Sequence, residues 1–173
     1  MKKQREGNPC IAALFLAYGA MMLYLLFIRN RSVVDGAYYW EQVENNYNLN
    51  FLRTIGNYWD VLTRPDYYID KWEGYAVYSF QARIAVINIL GNVAMFVPFG
   101  LLLPMRFPSL RKLWKAFPVA VTMIVLVEIL QLFSLRGKCD VDDLFLNAVG
   151  ILLGYGLWWI YRIRKNKGNG KGV

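Results

Sequence analysis

The sequence contains no histidine, which removes the commonest metal ligand and the usual proton shuttle of neutral pH. A His-based catalytic triad and a His-ligated zinc site are thereby excluded. Cysteine is nearly as scarce, with Cys10 and Cys139 in neither CxxC spacing nor a disulfide framework. Acids are few, 12 against 20 Lys and Arg, and long stretches carry no charge. What fills the chain instead is apolar: 57% of its 173 residues, above the roughly 45–50% of soluble domains. A net charge of +8 would point to nucleic acid in a soluble chain. Here the apolar residues come in blocks and the basic residues flank them, so no nucleic-acid partner is expected.

Cys10 to Ile28 is a charge-free run of nineteen residues, and a helix of that length crosses a hydrocarbon core of about 30 Å. Arg29-Asn30-Arg31 follows in place of a small-residue cleavage site, so the run reads as an uncleaved anchor. Three more spans are predicted at about 84–105, 116–135 and 144–161. With four spans, the N-terminus, the 106–115 connection and the tail after Tyr161 share one side. That side carries twelve Lys and Arg against a single acid, Glu6, whereas residues 29–83 and 136–143 hold eight bases against ten acids. The positive-inside rule then places both termini in the cytoplasm and residues 29–83 outside. This long loop holds thirteen aromatics and has two readings: amphipathic pieces along the outer headgroup layer, or a self-packed cap over the helices. In this topology Cys10 and Cys139 lie on opposite sides and cannot pair.

Polar side chains within hydrocarbon need partners, so each calls for a reason. Asn88 and Asn92 are four apart on span two, and Glu128 and Gln131 three apart on span three, so each pair shares a helix face. On span four, Asp143, Asn147, Gly150 and Gly154 follow one face. At 1.5 Å per residue, Asn88, Asn92, Gln131 and Glu128 lie about 6 to 12 Å from the outer end of their helices. Three helices thus direct polar faces to the outer half of the bilayer. Gly150 and Gly154 read as a GxxxG packing face, which would turn Asn147 toward a neighbouring helix. Pro98 withdraws a hydrogen bond from the Ala94 carbonyl and is read as a structural kink. Glu128, the only acid inside a span, is either a structural carboxylate bonded to Asn88 or Asn92, or a group that recognises a ligand or moves a proton. In Arg136-Gly137-Lys138-Cys139-Asp140-Val141-Asp142-Asp143, acids can cap span four and pair with Arg136. The alternatives are an oxygen-ligated cation and a phosphate gripped by Arg136. No metal or cofactor is assigned.

Several of these pieces together resemble the VanZ-like membrane proteins. They are Asn88 to Pro104 (NILGNVAMFVPFGLLLP), Glu128-Ile129-Leu130-Gln131, and Arg136 followed by Asp140, Asp142-Asp143, Asn147 and Gly150. Asn48 to Ile55 (NLNFLRTI) is similar to a loop motif of that family, departing from it at Phe51 and Leu52. The resemblance covers about residues 48–157 and implies an all-α, polytopic protein of the cell membrane, of a family named for a teicoplanin-resistance accessory protein; by its length the chain, 1–173, is read as one domain. The leading expectation is a non-enzymatic accessory role, modulating glycopeptide susceptibility. A lipid-linked envelope precursor would be engaged through Asn88, Asn92, Glu128, Gln131, Arg136, Asp140, Asp143 and Asn147. The alternative is a membrane-embedded enzyme on a lipid-linked substrate, with Glu128 as general acid or base. Against it, no nucleophile stands beside a base in the sequence. A transporter is weaker still, since no inverted repeat is visible.

Overall fold

Four helices dominate the computed structural model, which describes residues 9–28, 36–72 and 74–168. They cover Pro9–Ile28, Tyr75–Arg106, Leu113–Ser134 and Val141–Lys167, and each is long and apolar enough to cross a membrane. The first comprises α1 (Pro9–Leu23) and a π-helical turn, Tyr24–Ile28. The flanking charges Lys2, Lys3, Arg5, Glu6, Arg29 and Arg31, with Lys171 of the tail, lie outside the described residues.

Between the first and second long helices the chain forms α2 (Tyr39–Glu44), strand β1 (Tyr47–Asn48), α3 (Arg53–Thr63) and α4 (Pro65–Lys71). The second long helix, α5 (Tyr75–Arg106), starts nine residues before the expected Ile84. Nothing between Tyr75 and Arg83 breaks a helix, and the α5 so extended packs against α3 and α4. The α5 helix also runs through Pro98 and Pro104. It is followed by α6 (Leu113–Ser134), strand β2 (Cys139–Asp140) and α7 (Val141–Gly168).

The closest helix pair is α5 with α7, and glycine is the reason. A Cβ at Gly150 would overlap the Val93 carbonyl, one at Gly154 the Val97 carbonyl, and one at Gly100 the Ile151 carbonyl. Bare backbones therefore meet at three places along one seam, the close approach that small residues permit in hydrocarbon. The expected GxxxG face of α7 is thus turned onto α5. Around the seam, Phe96, Leu103, Ala116, Ala120, Ile124 and Ile151 form the core. The α1 helix contributes one buried residue, Met22, and the Tyr18 hydroxyl, which donates to the Met95 carbonyl at 2.6 Å.

Of the two loop readings, the docking seen in the structure is the one the cap reading expects. The segment forms short helices, and these dock on the end of the bundle where α5 begins and α6 ends. Tyr39 donates its hydroxyl to the Phe133 carbonyl, and β1 pairs in parallel with β2, Tyr47 beside Cys139 and Asn48 beside Asp140. Many of its aromatics, among them Trp40, Phe51, Trp59 and Tyr67, remain exposed. Cys10 and Cys139 stand at opposite ends of the bundle.

Candidate functional site

The docking of the loop centres on a carboxylate that belongs to α7. Asp142 has no exposed surface. Its Oδ1 accepts the Leu52 N–H at 2.6 Å, and its Oδ2 accepts those of Thr54 at 2.8 Å and Ile55 at 3.1 Å. These are first-turn amides of α3, which lack partners within their own helix. The Leu52 side chain cannot cap them, and Leu52 itself takes the left-handed conformation at φ 63°. Asp142 therefore caps α3 from a distance, placing negative charge at the positive end of its dipole.

Asp140 completes this clasp. One oxygen accepts the Asp142 N–H at 2.9 Å, capping α7, while the other accepts the Thr54 hydroxyl at 2.7 Å. The Asn48 amide donates to both Asp140 oxygens, at 3.2 and 3.3 Å, and to Thr54 Oγ1 at 3.0 Å. The Asn46 amide donates to the Gly137 carbonyl at 2.6 Å, and its own carbonyl accepts the Cys139 N–H at 3.0 Å. Burial raises the Cys139 thiol above its ordinary pKa, with the Glu128 and Asp140 charges adding to the rise.

Beneath the clasp lies a cavity of about 450 Å³, within the range of small-molecule sites. Asn88 and Asn92 enter it from α5, Glu128 and Gln131 from α6, and Asp143 and Asn147 from α7, with Asp140 at the rim. Those sequence-predicted residues are therefore brought together. Arg136 is not among the lining residues, and Lys138 supplies the cation there instead. Sequence reasoning also missed Thr54 and Tyr58, four apart on one face of α3, which close the cavity from the loop side. Thr54 lies inside the Asn48–Ile55 motif and Tyr58 one turn further on, and that i,i+4 spacing was the available signal.

The hydrogen bonds differ from the expected Glu128–Asn pairing. Asn88 donates to the Tyr58 hydroxyl at 2.8 Å, and Asn92 donates to Asp143 Oδ1. Glu128, 5% exposed, accepts the Asp140 N–H at 3.4 Å, beyond the usual range for a good hydrogen bond. Both amides prefer partners that α3 and α7 bring closer. Tyr58 has its hydroxyl pKa raised, chiefly by burial, against which the Asn88 hydrogen bond acts. Gln131 lies against Gly137, where a Cβ would press on its amide. Asn147 is 3% exposed, and its Oδ1 has no hydrogen-bond partner. Among the described residues no cluster of three or more acidic or thiol side chains is arranged to hold a metal ion.

A second cavity, an apolar cleft of about 490 Å³, adjoins the first between α1, α5 and α6. Phe15, Tyr18, Gly19 and Met22 line it from α1, and Phe99 and Met123 from the facing helices. Leu26, Phe96 and Val127 line both cavities.

The sequence model of the family described as VanZ/LLP1 matches residues 15–162, which take in most of all four long helices and every residue lining both cavities. The chain belongs to the VanZ/LLP1 family. Protein VanZ of Enterococcus faecium is 33% identical over 80 residues, covering 46% of this chain and 49% of that protein. The chain therefore matches about half the length of this curated relative. No solved structure matches it. As a VanZ/LLP1 protein with four long apolar helices, it is a multi-pass membrane protein.

Proposed function

We propose that this VanZ/LLP1 protein is a membrane accessory protein that modulates glycopeptide susceptibility, teicoplanin above vancomycin, by engaging a lipid-linked envelope component. The observation carrying this reading is the convergence of α3, α5, α6 and α7 on one polar cavity within an otherwise apolar bundle. Polar groups at membrane depth are costly to bury, and their convergence is the usual mark of a site. By the positive-inside rule the cavity opens toward the outer leaflet. Arg106, Arg111, Lys112, Arg162, Arg164 and Lys165 support this by clustering at the opposite end. The kinship with Protein VanZ supports the resistance role, across the half of that protein that matches. An enzymatic role for Glu128 is less favoured, because the reactive groups around it are tied to one another: Thr54 donates to Asp140, Asn88 to Tyr58 and Asn92 to Asp143.

The test is drug susceptibility in a Gram-positive host expressing the chain or its Glu128→Gln variant at equal membrane levels. Selective protection against teicoplanin that is lost in the variant is the expected result. No shift for either drug with the parent chain would remove resistance as its function.

A further inference from the structure

The two cavities share a wall, and their chemistries are opposite. One is lined by carboxyl, amide and hydroxyl groups, the other by aliphatic and aromatic side chains, and Leu26, Phe96 and Val127 belong to both. From Leu26 back to Phe15 the apolar cleft follows about 16 Å of α1, the length of a lipid-chain segment. A water-soluble molecule would leave the cleft empty, and a hydrocarbon would leave the polar cavity unmatched. An amphiphile suits both.

The polar half also specifies the head. Its charged lining consists of Glu128, Asp140 and Asp143 against the single cation Lys138. Asp140 is occupied by Asn48, Thr54 and its own helix, and Asp143 receives Asn92. Glu128 is held only by the long contact to the Asp140 N–H. Asn147 Oδ1 is a buried acceptor with no donor at all, and such a group costs stability unless something fills it. Among the buried groups of the lining, the unmet demand is thus for N–H or O–H donors. A phosphate would bring acceptors and negative charge to a wall of carboxyl groups at low dielectric. We infer that the two cavities form one lipid site whose headgroup is rich in N–H or O–H donors and carries no net negative charge. The inference rests on the lipid-engagement reading above and narrows it to a headgroup class, sugar or amine, unlike the phosphate grip expected of Arg136.

The experiment is native mass spectrometry of the full chain released from detergent with four probes. These are diglucosyl diacylglycerol, lysyl-phosphatidylglycerol, phosphatidylglycerol and undecaprenyl phosphate. One or both of the first two should be retained at least about tenfold better than phosphatidylglycerol of the same acyl chains, the scale of one charge-assisted hydrogen bond. Which of the two prevails tells sugar from amine. Two variants locate the site. Asn147→Leu should abolish the preference among headgroups while leaving thermal unfolding at or above the parent temperature. Gly19→Phe should abolish retention of all lipids by filling the cleft, where a Cβ meets nothing within 4 Å. Equal or better retention of undecaprenyl phosphate or phosphatidylglycerol would overturn the headgroup inference and leave lipid engagement standing. Retention of none of the four would bring down both. A headgroup preference unchanged by Asn147→Leu would place the donors elsewhere and overturn the assignment.

Discussion

Asp142 and Asn147 stand five residues apart on α7, both almost wholly buried, and their surroundings are opposite. Every oxygen of Asp142 receives backbone N–H groups of α3, whereas Asn147 Oδ1 receives nothing. Five residues rotate a helix by about 140°, so one side chain faces the clasp and the other the cavity. A satisfied buried polar group holds structure together. An unsatisfied one is a cost that the fold retains, and a ligand is the simplest reason for retaining it. The contrast separates the part of this end of the molecule that builds the site from the part that uses it.

The comparison breaks most severely at Asp142. Asp142→Ala strands three partly buried N–H groups and should cost about 3 kcal/mol, read as a large drop in unfolding temperature in detergent. New thiol accessibility at a Thr54→Cys reporter should accompany it as α3 detaches. Gly154→Leu comes next. It forces a side chain into the Val97 carbonyl and should cost about 1–3 kcal/mol while sparing the α3 reporter, because the seam lies away from the clasp. Asn147→Leu should reverse the sign, leaving stability unchanged or raising it by up to about 1 kcal/mol. A loss of 2 kcal/mol or more there would show that the oxygen is engaged and remove the contrast.

The smallest effect concerns Cys139. In a Cys10→Ser background its alkylation should be slower at pH 7.5 than that of an exposed thiol. The raised pKa leaves less thiolate at that pH, and the rate should keep rising beyond the pH at which an exposed thiol levels off. A plateau below pH 8.5 would contradict the burial of that thiol beneath the clasp.

Much of this was legible in the sequence because the bilayer imposes strict terms. A charge-free run of nineteen residues has few other uses, and spacing along a helix fixes both face and depth, which is why Asn88, Asn92, Glu128, Gln131, Asp143 and Asn147 were grouped in advance. The clasp was not legible. Asp142 and Asp143 are chemically identical neighbours, and only the approach of α3 decides that one caps a helix while the other faces the cavity. Tyr58 and Thr54 escaped for a related reason: their spacing shows a shared face, but where that face points depends on how α3 docks. Arg136 falls outside the cavity lining, where Lys138 stands instead. Charge in a tight turn can be counted from sequence, but the direction of each side chain is set by the turn itself. The early start of α5 was hidden because Tyr75, Tyr78 and Phe80 resemble an interfacial boundary while posing no obstacle to a helix.

The bridge between β1 and β2 joins segments about ninety residues apart, and the Asp142 bonds to Leu52 and Thr54 span the same distance. The chain emerges from the ribosome in order, so residues 36–72 are complete long before their partner exists. For the time needed to make α5 and α6, the first turn of α3 has no cap and the cavity has no roof. Only the arrival of α7 supplies both. The site is therefore the last thing this protein assembles, and a chain cut short before residue 142 would carry three of its long helices and no pocket.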